Sequence, residues 1–338
     1  MVQQPFAMIP KIPTANDLIE IAYRRSIKVS PPIPFRASRI IRVKRLSEAR
    51  IRALSDILCS KLNSIYKLFP SSKLLHPFYK ALLEILIPLN QYDNLRRKLR
   101  SSVKIIRRIS NEYIQKIRRA STVEEVQKLR KEAYGRILSV IKRIKKHLYL
   151  LEEVRATLHK VPSIDPQELI IVVAGYPNVG KSTFVSKIST AKPKIAEYPF
   201  TTTEIIVGHI VLNNLRIQII DTPGLLDRPL SERNNIERMA IAAIQYLADS
   251  IIFILDPSET SGYPLKEQLS LLEEIKNTFP QTPILPVLNK IDVASLNQIL
   301  LCEKALNMNL LKMVAKDGKG VHEVLSYAVK LALKSKSP

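Results

Sequence analysis

The sequence predicts two architectures in one chain: an all-α helical bundle, followed by an α/β domain whose mostly parallel sheet is flanked by helices. Three observations carry this. In the first half, apolar residues recur in steps of three and four, as in Leu54, Leu58, Leu62, Ile65 and Phe69, which is one helix face. In the second half, short unbroken apolar runs stand at 169–174 (LIIVVA), 215–220, 251–255 and 284–288. Such runs suit strands covered on both faces. Glycine and charge are also split. Of 8 glycines only Gly135 precedes residue 168, and residues 1–168 hold 35 Lys and Arg against 14 Asp and Glu, a net of +21. The remainder of the chain is nearly neutral, with 18 against 16.

Residues 11–26 (KIPTANDLIEIAYRRS) read as a loop entering a short helix, with Thr14 and Asp17 placed for a capping arrangement. SPPIP at 30–34 breaks the chain. A helix over about 43–69 ends at Pro70, and a shorter one spans about 76–87. A third helix, over about 95–120, turns Leu99, Val103, Ile106, Ile109, Tyr113 and Ile117 inward. Thr122 with Glu124 and Glu125 starts a fourth, expected to run unbroken to about 158. Gly135 inside it predicts close packing or a bend.

These stripes predict an antiparallel bundle over residues 1–160. Residues 161–168 form a linker with two prolines, and a second domain covers 169–338. The polar faces of the bundle carry Arg96, Arg97, Lys98, Arg100, Arg107, Arg108, Arg118, Arg119, Lys142, Arg143, Lys145 and Lys146. Anions are too few to neutralise them, so a polyanion partner is expected, RNA before others. Cys59 and Cys302 stand apart, outside any metal-ligand spacing. They point to a reducing compartment, and no apolar run reaches membrane-span length. A cytoplasmic monomer without membrane contact is the expectation.

The chemistry begins at Gly175-Tyr176-Pro177-Asn178-Val179-Gly180-Lys181-Ser182, followed by Thr183. An apolar strand precedes it and a helix start follows, the context in which GxxxxGKS cradles phosphates. Gly175 and Gly180 let backbone N–H groups approach the anion. Lys181 reaches the β- and γ-phosphates, and the Ser182 hydroxyl can ligate Mg²⁺. Asp221-Thr222-Pro223-Gly224 ends the next strand. Asp221 can hold a metal-bound water, and Gly224 can offer its N–H to the γ-phosphate. One of the three threonines at 201–203 could swing in as a further metal ligand; chemistry alone does not choose among them.

Asn289-Lys290-Ile291-Asp292 (NKID) follows a later strand. The Asp292 carboxylate can accept from N1 and the 2-amino group of guanine, whereas adenine would leave it unpaired. Ala315 and Lys316 can contact the base. Lys181 and Asp221 are 40 residues apart, and Asp221 and Asn289 are 68 apart. With each motif ending a strand, as ligand sites in open α/β sheets do, the second half reads as a P-loop G domain for GTP and GDP.

The motifs GYPNVGKS, STAKPKIAEYPFTTT, IDTPGLLDRPLSERNNIE, LDPSETSGY and NKID resemble the Nog branch of the Obg-type GTPases, the nucleolar GTP-binding protein 1 family. IPTANDLIEIAYRRS, LHPFYKALLEIL and AYGRILSVIKRI in the basic half are similar to it too. The resemblance implies a GTPase acting in assembly of the large ribosomal subunit, bound to rRNA or a precursor particle. It also implies that Thr202 is the metal-ligating threonine, so that Lys181, Thr202 and Gly224 surround the reacting phosphate, and that Asn178 can help hold a K⁺. The chain stops at Pro338, which suggests a short, archaeal type of member. Two other readings stand beside it: a helical half that binds a protein, and a tRNA-modifying enzyme timed by a G domain. The second lacks any Cys, His or acidic constellation in residues 1–168.

Overall fold

The computed structural model describes residues 4–190, 194–200, 204–212, 214–229 and 232–336. They form two compact units. One comprises Met8–Leu74 and Ile87–Ala156; the other comprises the described residues up to Ala7, Leu75–Leu86, and the chain from Thr157 onward.

The first unit is helical. α1 (Ala15–Ile27) starts at a capping box: Asp17 N donates to Thr14 Oγ1 and Thr14 N to Asp17 Oδ2. α2 (Arg39–Leu68) begins earlier than its periodicity suggested and buries Ile51, Leu54, Leu58, Cys59, Leu62 and Ile65. A further helix of the chain, α3 (Pro77–Leu86), belongs to the other unit. α4 (Leu89–Arg119) buries Leu99, Val103, Ile106, Ile109, Tyr113 and Ile117, the face expected of it. It packs against α2 and against α5 (Val123–Arg143), whose Thr122 cap accepts from Glu125 N.

The expected fourth helix is two. α5 stops at Ile144, which leaves helical geometry (φ −94°, ψ 11°) and bonds back to Ile141 O, before α6 (Lys145–Leu158) resumes. Gly135 is not the cause: it is exposed, and a Cβ there would meet nothing within 4 Å. The expectation of close packing at Gly135 is therefore corrected. The stripe Ile137, Ile141, Ile144, Leu148, Leu151 continues through the break and is buried throughout, which is why periodicity alone hid it.

The second unit is built on a seven-stranded sheet of order β2-β3-β4-β1-β5-β6-β7. The strands are β1 (Leu169–Ala174), β2 (Lys194–Glu197), β3 (Glu204–Leu212), β4 (Leu215–Asp221), β5 (Ser250–Leu255), β6 (Ile284–Leu288) and β7 (Leu311–Lys312). β1 pairs in parallel with β4 and β5, and the sheet stays parallel through β6 to β7. Only β2–β3 and β3–β4 are antiparallel. β1 and β5 are buried at every position, as strands covered on both faces must be. The helices are α7 (Lys181–Ile188), α8 (Asn235–Ala243), α9 (Leu265–Thr278), α10 (Leu296–Leu306) and α11 (Val321–Lys336).

α3 packs on α8 in this unit and buries Phe78, Tyr79, Leu82 and Leu83. Tyr79 also stacks edge-on with Phe78 and tilted against Phe6. The compact units do not follow a single division at residues 161–168, since α3 lies with the sheet. The amphipathic stripe at 76–87 was read rightly as a helix, but its apolar face is covered by the sheet-bearing unit.

Candidate functional site

β1 is the middle strand, and the chain turns from its carboxyl end into the phosphate loop. Gly175 (φ 134°) and Gly180 (φ 105°) occupy backbone conformations that favour glycine. A Cβ on Gly175 would lie 2.5 Å from Ile254 O, and one on Gly180 would lie 2.2 Å from Asn289 Nδ2. Both close approaches exclude any larger residue. Gly180 is the N-cap of α7, so the helix points its unpaired amides into the cleft at its start.

Lys181 is 5% exposed, and its Nζ donates to Gly175 O (2.7 Å) and Tyr176 O (2.8 Å), which holds the ammonium across the loop. Burial lowers its pKa, with the Asp227 and Asp221 carboxylates opposing. Ser182 Oγ donates to Asp221 Oδ2 at 2.6 Å. Asp221 is fully buried, and its Oδ1 has no partner among the described residues. Burial raises its pKa, against the pull of the Ser182 hydroxyl and the Lys181 charge. A buried carboxylate oxygen without a donor, beside a serine hydroxyl, suits a hard cation such as Mg²⁺. Among the described residues no group of three or more His, Cys, Asp or Glu could enclose a metal alone.

Asn289 joins the two halves of the site. Its Nδ2 donates to Val179 O (2.8 Å) in the phosphate loop, and its Oδ1 accepts from Ala315 N (2.9 Å). Two clefts result. One, of about 460 Å³, is lined by Pro177, Asn178, Gly180, Lys181, Ser182, Thr183, Pro223 and Asp227. The other, of about 330 Å³, is lined by Asn178, Gly180, Thr183, Asn289, Lys290, Asp292, Val293, Val314, Ala315 and Lys316. Tyr176 and Val179 are buried, and Tyr176 packs against Tyr263 with ring centroids 4.4 Å apart. Thr222 turns inward, its hydroxyl donating to Val173 O. Thr202 lies outside the described residues.

Three residues of the site escaped the reading of the sequence. Asp256, buried, pairs with Lys290 Nζ at 2.7 Å. Burial alone would raise its pKa, but the Lys290 ammonium and the Ser258 hydroxyl outweigh that and hold it low. Asp227 accepts from Gly224 N, and Arg233 Nη2 donates to Gly224 O and Leu225 O. The stretches that hold them, LDPSETSGY and DRPLSERNNIE, carry a family likeness but no local pattern of their own.

A mostly parallel sheet with a phosphate loop on its middle strand, and an Asn-Lys-x-Asp loop two strands along, is the fold of P-loop G domains. Residues 6–165 match the NOG1 N-terminal helical domain, and residues 235–292 match Nucleolar GTP-binding protein 1 (NOG1). The chain belongs to the nucleolar GTP-binding protein 1 family. It is 37% identical over 294 residues to an uncharacterized protein of Methanocaldococcus jannaschii, covering 86% of this chain and 81% of that protein. It is 34% identical over 288 residues to nucleolar GTP-binding protein 1 of Drosophila melanogaster, covering 85% of this chain but 44% of that protein. The chain therefore spans less than half the length of this animal relative. A crystal structure from Plasmodium falciparum bearing the same family name matches with a TM-score of 0.47 at 34% identity, over 52% of this chain and 92% of that one.

Proposed function

We propose that this protein binds and hydrolyses GTP, and that it serves as an assembly factor of the large ribosomal subunit, with its basic helical unit docking on rRNA in the cytoplasm. The observation that carries the nucleotide part is the shared lining of the two clefts. Asn178, Gly180 and Thr183 line both, so phosphate-holding and base-selecting residues face one continuous groove. The name of its eukaryotic relatives and the cationic helices support the ribosomal part.

Within that groove Lys181 and the amides at the start of α7 bind the phosphates. Asp292 selects guanine, and Asn289 fixes the base loop to the phosphate loop. Ser182, Asp221 and Thr202 would hold Mg²⁺, which would offset charge on the phosphate oxygens. Leu225 is buried and has no hydrogen-bonding group, so it orients no water. Hydrolysis by the protein alone is slow, and a bound partner completes the site.

The test is equilibrium titration with fluorescent GTP and ATP in Mg²⁺, followed by phosphate release. Guanine-selective binding is expected. Asp292→Asn should remove the selectivity, since a lost hydrogen bond to a charged group costs about 1.5–3 kcal/mol. Equal affinity of the unaltered protein for ATP would defeat the base-recognition argument.

A further inference from the structure

We propose that Asp227 is the residue by which this site discriminates GTP from GDP. Its carboxylate holds the Gly224 N–H that a γ-phosphate oxygen would need, so a terminal phosphate must displace it. The proposal rests on the reading of the groove as a GTP site and adds a residue to which no role has so far been given.

The geometry is a two-sided grip on one peptide group. Gly224 sits in a left-handed turn (φ 75°), and its N–H donates to the Asp227 carboxylate through Oδ2. Arg233 Nη2 takes the Gly224 and Leu225 carbonyls, the latter at 3.1 Å. The same Arg233 nitrogen lies 3.5 Å from Asp227 Oδ1, and the arginine side chain is wholly buried. Asp227, 8% exposed, lines the phosphate cleft beside Lys181, Ser182 and Pro223. Its charge also acts on the Lys181 ammonium.

A terminal phosphate would bring negative charge to the same two donors, Lys181 and Gly224 N–H. Two anions cannot share one amide, and they repel each other in a site this enclosed. GDP has no group that reaches Gly224, so it leaves Asp227 where it is. The carboxylate therefore opposes the triphosphate selectively. Arg233 makes displacement feasible: among the described residues its Nε and Nη1 are buried without a partner, so this arrangement of the turn leaves donors unsatisfied there. Such donors disfavour the conformation they sit in. A carboxylate that merely held the turn in shape for a terminal phosphate would, on removal, weaken GTP and leave GDP unchanged, so that the ratio falls.

The experiment uses the full chain, a fluorescent GDP and a fluorescent non-hydrolysable GTP analogue, with Asp227→Ala and Asp227→Asn. In Asp227→Ala the ratio of triphosphate to diphosphate affinity should rise about tenfold or more, the worth of a hydrogen bond to a charged acceptor. Asp227→Asn, which keeps the shape and a neutral acceptor, should lie between. GDP affinity close to that of the unaltered protein shows that the site is intact. If Asp227→Ala loses GDP binding, Asp227→Asn decides. A ratio that stays level or falls while GDP still binds overturns the proposal. Unaltered protein that bound neither guanine nucleotide would instead sink the GTP-site reading.

Discussion

Lys290 Nζ lies 2.7 Å from Asp256 Oδ2, and the aspartate is wholly buried. This pair ties the loop after β5 to the Asn289–Asp292 loop after β6. Lys290 holds a left-handed backbone (φ 58°), which a non-glycine residue adopts only when its surroundings fix it. Asp256 also accepts from Ser261 N (2.8 Å), and Gln268 brackets its backbone at both N and O. Asp256→Ala should therefore weaken guanine-nucleotide binding by about 1.5–3 kcal/mol, roughly ten- to hundredfold in Kd. Asp256→Asn should recover part of it. An affinity unchanged in Asp256→Ala would show that the pair does not position the base loop.

The same carboxylate sets a pH dependence. Its folded pKa is held below the ordinary value, so its ionised form stabilises the fold above the unfolded pKa. That contribution is lost as pH falls through the folded value. Thermal unfolding of the free protein should show a steeper loss of Tm below about pH 5 in the unaltered chain than in Asp256→Asn. Parallel curves would assign the acid sensitivity elsewhere.

Hydrolysis should depend on what a partner and the solvent supply. Leu225 is fully buried, so Leu225→Ala should cost about 2–5 kcal/mol of stability and leave no faster enzyme. Asn178, in a left-handed conformation (φ 61°), lines both clefts. A K⁺ held there would add positive charge where charge develops. Single-turnover rates in K⁺ should exceed those in Na⁺, and Asn178→Ala should abolish the difference. Equal rates in the two salts would remove K⁺ from the site.

The sheet strands and the three nucleotide motifs were legible because each is a local pattern. LIIVVA is apolar at both parities, and GxxxxGKS needs its glycines where a Cβ would strike Ile254 O or Asn289 Nδ2. β2 escaped because four residues, Lys194–Glu197, carry too little pattern to outweigh a loop reading. α8 and α10 also escaped; their local marks are capping boxes, Asn234 with Glu237 and Ser295 with Gln298. Asp227, Asp256 and Arg233 were illegible for another reason. Their partners are brought to them by the fold, and an isolated Asp or Arg in a loop has no period to read. The stripe at α3 said that a face is buried but not against what.

That last point is testable. Leu82 is fully buried on the α3 face that packs on α8. Leu82→Ala should destabilise the nucleotide-bearing unit by about 2–5 kcal/mol. Bound GDP should raise Tm in both proteins, since it binds only the folded unit. A G domain cut to residues 169–338 should be less stable than the same domain carrying α3, because α8 would lose its cover. If the cut domain unfolds at the temperature of the full chain, α3 is dispensable to it.

The basic unit yields a prediction about salt. α4 already uses its apolar face in the bundle, so its cations face outward: Arg97, Lys104, Arg108 and Arg119 are all exposed. At 100° per residue they fall on one stripe of the helix. Arg118, by contrast, is tied to Glu48 at 3.1 Å and is a poorer choice for substitution. Cations in a row on a folded scaffold bind phosphate backbones chiefly by releasing counterions. For about 6 phosphates, log affinity should fall with log salt at a slope of roughly −4 to −5. Backbone contacts carry no base code, so selectivity should follow RNA shape more than sequence. The titration belongs on the full chain, because a fragment ending at residue 160 would strip α3 of the unit that covers it. Replacing Arg97, Lys104, Arg108 and Arg119 by Glu should flatten the slope and weaken binding to large-subunit rRNA fragments strongly, with GTP affinity retained. If the unaltered chain binds GTP but shows no salt-dependent affinity for RNA, the cationic helices serve a protein partner instead.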